Sequence, residues 1–198
     1  MNDPIQQLIK TLNHLPGIGA RSARRIALHL ITSKNKATIN QLTNALDNVE
    51  KNITICNVCG NVDTINPCKI CQNEKRDSNV ICIISDVMDL WAIERSSNYK
   101  GKYHILGGIL SAIDGIGPED ISINSLVRRV KHDNISEVIM ALSATVDGQS
   151  TAHYINDKLA ELPDVKITRL AHGMPIGGEL DYMDDGTIIT AFKARSDI

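Results

Sequence analysis

The chain has 198 residues, 42% of them hydrophobic and 22% charged, enough for one good core or two modest ones in an ordinary soluble globular protein. No stretch approaches the ~20 apolar residues of a membrane span, and MNDPIQQLIK has no basic region leading into an apolar run, which excludes membrane and exported classes and predicts a cytoplasmic chain with reduced thiols. The net charge of −2 argues against a nucleic-acid partner only on average: residues 1–35 carry +4, residues 36–78 zero and residues 79–198 −6, so a polyanion-facing N-terminus on a more acidic body competes with simple solvated faces.

Asp3-Pro4 opens a first helix, with Asp3 as cap, Pro4 at the first helical position and Gln6 where a capping box wants it. Ile5, Leu8, Ile9 and Leu12 recur at helical spacing and form its apolar stripe. Pro16, Gly17 and Gly19 then break the chain sharply. Ala23, Ile26, Ala27, Leu30 and Ile31 define the buried face of a second helix. Glycines at 17 and 19 let the backbone approach a surface closely, and the free N–H groups of the next helix start suit a phosphate oxygen. Arg21 and Arg25 share one helix face with Arg24 beside them, away from the apolar stripe. LPGIG followed by this arginine cluster resembles the helix-hairpin-helix element of DNA-repair proteins; a purely structural αα-turn is the alternative. Contacts of this kind would read the DNA backbone and be largely independent of sequence. A third helix carries Thr38 and Gln41 as a capping box and Ile39, Leu42, Leu46 and Val49 on its inner face.

Next comes CNVCGNVDTINPCKIC, two Cys-x-x-Cys pairs separated by eight residues. Each pair forms a knuckle that presents two thiolates to one point. Cys56, Cys59, Cys68 and Cys71 together close the tetrahedral four-thiolate shell that zinc prefers at structural sites, with no open position for water. The segment is too short for its own apolar core, so the metal would supply much of its folding free energy. Two disulfides, or thiols with no shared role, are the rival readings. Cys82, within NVICII, reads as a small buried hydrophobe.

EKRDSN, residues 74–79, reads as a polar linker, after which the pattern changes. Strands are expected at 80–84, 103–106, 137–142 and 165–170, with helices at 86–95, 123–131 and 149–162 between them. Short apolar strands alternating with helices predict a mostly parallel sheet covered on both faces. HGMPIGGELDYMDDGTIITAF closes the chain with a Gly- and Pro-rich turn and an amphipathic piece, and GGELDY suits a turn-and-edge role in subunit assembly. The six histidines, among them His29, His104 and His172, have no thiol or carboxylate at a convincing catalytic spacing. Six aromatic residues make a base-stacking platform for single strands improbable.

Taken in order, LPGIGARSARR, the four-cysteine segment, ICIISD, YHILGG, IDGIGPED, ATVDGQSTA and RLAHGMPIGGELDY resemble the bacterial RecR family of recombination mediators over nearly the whole chain. The resemblance implies an α+β multidomain protein: a helix-hairpin-helix domain over 1–53, a zinc finger and linker over 54–78, a Toprim domain over 79–171 and an assembly segment over 172–198. It further implies DNA as ligand, RecO and in some cases RecF as partners, and help in loading RecA onto single strands coated by single-strand-binding protein. A homo-oligomer, dimer or ring-like tetramer, belongs to the same expectation. Catalytic Toprim proteins place a Glu at the end of the first strand for acid-base chemistry and hold Mg²⁺ with acids after a later strand. Here those positions hold Ser85, with Asp86 on the other face, and Asp147 followed by Gln149. Relatives commonly have Glu at 85, Asn-Pro at 143 and 144 and Glu at 149. A scaffold without catalysis is therefore expected, with a Mg²⁺-dependent enzyme acting on DNA strands and a pure protein-protein adaptor as alternatives.

Overall fold

The computed structural model describes residues 3–32, 37–162, 164–171 and 173–195, and His172 lies outside them. The chain divides into two compact units, 1–53 and 54–198. No helix among the described residues is long and apolar enough to cross a membrane.

The first unit holds α1 (Pro4–Asn13), α2 (Ala20–Thr32) and α3 (Ala37–Asn52). Asp3 caps α1 by accepting from the Ile5 N–H at 2.9 Å, and this bond forms in place of the reciprocal pair predicted with Gln6. Helices α1 and α2 pack together as a pair. Of the face predicted for α2, Ala23 and Ala27 are fully buried, Ile26 and Leu30 are partly covered, and Ile31 is exposed. In α3, Thr38 stands inside the helix rather than capping it. The predicted inner face of α3, Ile39, Leu42, Leu46 and Val49, is exposed in the single chain. The pattern identifies an amphipathic helix correctly, but the described residues of this unit leave its apolar face uncovered.

The second unit begins with a small antiparallel ladder, β1 (Thr54–Ile55) with β2 (Val62–Asp63), followed by the one-turn helix α4 (Lys69–Gln72). A four-stranded parallel sheet follows, built from β3 (Asp77–Ile84), β4 (Gly101–Ile105), β5 (Glu137–Met140) and β6 (Lys166–Arg169) in the order β4-β3-β5-β6. Helices α5 (Val87–Ser96), α6 (Ile123–His132) and α7 (Val146–Leu159) connect its strands. Strand alternation sends Ile81 and Ile83 into one core with Leu126, Val130, Val138, Ile155 and Leu159, and sends Cys82 and Ile84 into another with Leu90, Tyr103 and Ile105. Both faces are thus covered, as a parallel sheet requires. Cys82 is buried, and desolvation pushes its thiol up to about 12, so it remains an inert hydrophobe.

Two elements, β3 and α7, start three residues earlier than expected. Residues 77–79, expected within a linker, belong to β3; they are exposed and held by backbone pairing that leaves no apolar trace, Asp77 aligning with Gly101. Helix α7 begins at Val146 and not Gln149, because Thr145 caps it by accepting from the Gly148 N–H at 3.1 Å. The chain ends with a 3-10 turn, Leu180–Tyr182, and α8 (Asp185–Lys193), capped by Asp184.

Candidate metal centre and nucleic-acid interface

The first cysteine knuckle closes by two backbone bonds, Cys56 N–H to Asn61 O at 2.7 Å and Gly60 N–H to Cys56 O at 2.9 Å. Gly60 sits at φ +80°, and a Cβ there would meet the Ile105 carbonyl oxygen at 3.2 Å, so both its conformation and its close approach to β4 favour glycine. The second knuckle begins at Cys68, whose N–H faces the Cys56 sulfur at 3.3 Å, and continues into α4. Asp63 Oδ2 accepts from the Lys69 N–H at 2.9 Å, tying β2 to that turn.

These bonds bring four sulfurs together. Cys56 and Cys71 Sγ are 3.8 Å apart, Cys59 and Cys68 Sγ are 3.6 Å apart, and all four lie within 4.8 Å of one another. Thiolates placed ~2.3 Å from a central ion at tetrahedral corners would be ~3.8 Å apart, so the spacing fits a tetrahedral metal shell. All four thiols are free, which removes the disulfide reading. The proton load is uneven: hydrogen bonding, first from Cys59 and then from Cys68 and Cys56, with the Arg129 charge adding to it, draws Cys71 down to about 6. The Cys59 thiol is pushed up by its hydrogen bond to Cys71 and by burial. Among the described residues, this is the one group of three or more His, Cys, Asp or Glu side chains that could hold a metal ion.

The module is joined to the sheet. The Ile105 N–H of β4 donates to Cys59 O at 2.8 Å. Lys102 of β4, buried at 8% exposure, donates to the carbonyls of Ile70, Cys71 and Asn73, each at 2.9 Å. Arg129 of α6 donates to Tyr103 O at 2.6 Å and Val58 O at 3.5 Å, and its Nε faces Asp133 at 3.3 Å. Neither cation was singled out from the sequence. The available signal was a lysine at the start of the strand segment KYHI, because a buried ammonium has to be satisfied by something specific.

Strands β3 and β5 are parallel neighbours, so the segments that follow them, Ser85 and residues 141–147, leave the same sheet edge at the point where the strand order reverses. Ser85 Oγ, Ser85 N–H and Asp86 N–H all point to Asp89 Oδ2, and Asp86 accepts from Met88 and Asp89 N–H to form a capping box for α5. These acids are thereby used as helix caps. Asp147 lies in the first turn of α7, and Gln149 donates to Ala144 O at 3.1 Å. Asp86, Asp89 and Asp147 form no metal-holding group among the described residues.

In the first unit, Gly17 adopts φ +77°, the left-handed turn that the hairpin requires. Gly19 accepts the first helical bond, from Ala23 N–H at 2.9 Å, and has no side chain with which to cap the first-turn donors of α2. That turn contains no acidic residue. Arg21 in that turn and Arg24 and Arg25 in the next are exposed, and none forms an ion pair among the described residues. The helix start and the guanidinium groups therefore present one uncompensated positive surface.

Residues 5–49 match the family model described as RecR, helix-hairpin-helix; residues 79–171 match the Toprim domain; and residues 173–196 match RecR, C-terminal. A curated relative from Methylocella silvestris, named Recombination protein RecR, is 52% identical over 193 residues, 98% of this chain and 95% of the relative. Relatives of the same name from Rhodopseudomonas palustris strain BisB18 and Bartonella bacilliformis are 53% and 51% identical over 192 residues, each covering 97% of this chain and 94% of the relative.

Proposed function

We propose that this chain, which belongs to the RecR family of recombination proteins, is a non-catalytic mediator that grips DNA by its phosphates and, with RecO and possibly RecF, helps load RecA onto strands coated by single-strand-binding protein. The observation that carries the DNA-binding part is the exposed cluster of Arg21, Arg24 and Arg25 at a helix start that, among the described residues, no carboxylate pairs with and no side chain caps, beside Gly17 and Gly19. Guanidinium groups and free N–H donors recognise phosphate without reading bases.

Cys56, Cys59, Cys68 and Cys71 would hold one structural Zn²⁺ per chain. Sulfur-only donors at tetrahedral spacing favour zinc over hard cations, and a closed shell suits a clasp. Catalysis is not part of the reading: Ser85 cannot act as a carboxylate base, and Asp86 and Asp89 are engaged as caps. One +4 patch binds weakly by itself, and several copies in a homo-oligomer raise the effective concentration of each later contact. A dimer or ring-like tetramer is supported by the bare apolar face of α3 and by exposed Leu180, Tyr182, Ile189 and Phe192 near the chain end. The protein would act in the cytoplasm.

The test is DNA binding by the purified, metal-loaded protein across a salt series, with solution mass recorded and RecO added in a parallel series. Salt-sensitive binding indifferent to sequence, by the protein or by its complex with RecO, is expected. Absence of binding in both series would favour a protein-protein adaptor, and Mg²⁺-dependent strand cleavage abolished by Asp147→Asn would favour the enzyme.

A further inference from the structure

Each cysteine knuckle is held by one cation from the sheet domain, Lys102 buried and Arg129 partly covered. Lys102 uses all three ammonium protons on the carbonyls of Ile70, Cys71 and Asn73, which belong to the second knuckle and its helical turn. Arg129 reaches Val58, between Cys56 and Cys59 of the first knuckle, and Tyr103 of β4 with the same nitrogen. Asp133 takes its Nε. No carboxylate pairs with Lys102 among the described residues, and a buried ammonium without a counter-charge is costly. Four thiolates around one divalent ion carry a net charge of about −2. That surplus is the counter-charge missing at Lys102, whose ammonium sits on the Cys71 carbonyl.

We propose that Lys102 and Arg129 are positioning residues of the metal centre, one for each knuckle, and that they couple metal occupancy to the order of strand β4. The coupling has a continuous path. Cys59 O accepts from Ile105 N–H, Leu106 N–H donates to Ile84 O, and Gly107 N–H donates to Ser85 O, so the knuckle, the end of β4 and the Ser85 edge share one run of backbone bonds. A metal-loaded module holds Lys102 on its three carbonyls; a metal-free module, with too little core to stay folded, releases Lys102, Arg129 and the Ile105 N–H together.

This inference rests on the metal reading of the four cysteines, so metal content of the purified chain is measured first. A metal-free chain overturns both readings. With metal present, its transfer to a chromophoric chelator at neutral pH is timed. Lys102→Met is expected to release metal at least about tenfold faster than the unsubstituted chain, in the range seen when outer-shell partners are removed. Lys102→Arg, which keeps the charge, should remain within about threefold of it, on the same outer-shell scale. Lys69→Met, which removes a lysine of the same module that is 72% exposed beside Asp63, should leave the rate unchanged. Equal rates for Lys102→Met and the unsubstituted chain would overturn this inference and leave the metal reading standing. A second measurement needs no variant. Chelation of the unsubstituted chain should speed amide exchange at Gly101–Ile105 by about tenfold or more relative to Lys166–Arg169 at the far side of the sheet, as local opening of a released segment requires. Exchange that accelerates within residues 56–72 but leaves Gly101–Ile105 unchanged would equally overturn the inference.

Discussion

Strand β3 buries four consecutive side chains, Ile81 to Ile84, whereas in residues 3–32 and 37–53 only Ala23 and Ala27 are buried. Each unit has the apolar periodicity its elements need, and they differ in what is available to cover it. In the sheet unit, helices connect the strands and two apolar clusters fill its faces, while the cysteine module is fastened to its edge by Lys102, Arg129 and Ile105. The described residues of the helical unit leave the stripe of α3 bare and place arginines without ion pairs among them at the start of α2. The first arrangement suits a scaffold that stands by itself. The second suits a surface completed by other molecules, apolar on one element and polyanionic on another.

Substitutions can break this contrast. Ile83→Ala, at a fully buried position, should destabilise the sheet unit by about 2–5 kcal/mol in a denaturant titration; a cost below that range would mean the core is looser than its burial implies. His104 gives the next effect. It is 3% exposed, its Nε2–H donates to Ser122 O at 3.0 Å, and burial holds it down from 6.5 to about 4. The unfolded chain therefore takes up a proton below about pH 6.5 that the folded chain refuses until about pH 4, so stability falls as pH falls through that window, by roughly 3 kcal/mol. His104→Gln, which keeps a donor for Ser122, should flatten this part of the stability-pH curve; an unchanged slope would mean other groups carry it. The smallest effect on the chain itself is expected for Leu46→Ala, at a position 61% exposed, within ~0.5 kcal/mol by denaturation. Its readout is instead solution mass, which should fall if α3 packs against another copy and stay constant if it does not.

What could be read from the sequence follows the range of the interactions involved. The four-cysteine cluster and the helix-hairpin-helix element were legible because each is a local pattern with a fixed spacing, and the strands were legible because parallel strands are continuously apolar. Lys102 and Arg129 were not, because the carbonyls they reach lie 26 to 71 residues away and an isolated cation reads as a solvated one. The start of β3 at Asp77 and of α7 at Val146 rests on backbone pairing and on a cap at Thr145, neither of which leaves an apolar period. The burial expected for Ile39, Leu42, Leu46 and Val49 went unmet for a related reason. Periodicity identifies a face that needs covering and says nothing about whether the same chain supplies the cover.

The central claim is that the start of α2 is where this protein meets DNA. Its most direct test compares the Arg21→Ala/Arg25→Ala double variant with the unsubstituted protein for DNA binding as a function of salt, with RecO supplied in both arms and solution mass matched. Each lost phosphate contact removes ~0.9 from the slope of log affinity against log salt, so the variant should bind more weakly with a slope shallower by about two units for each engaged subunit. Equal affinity and an equal slope would contradict the account and move the DNA site elsewhere.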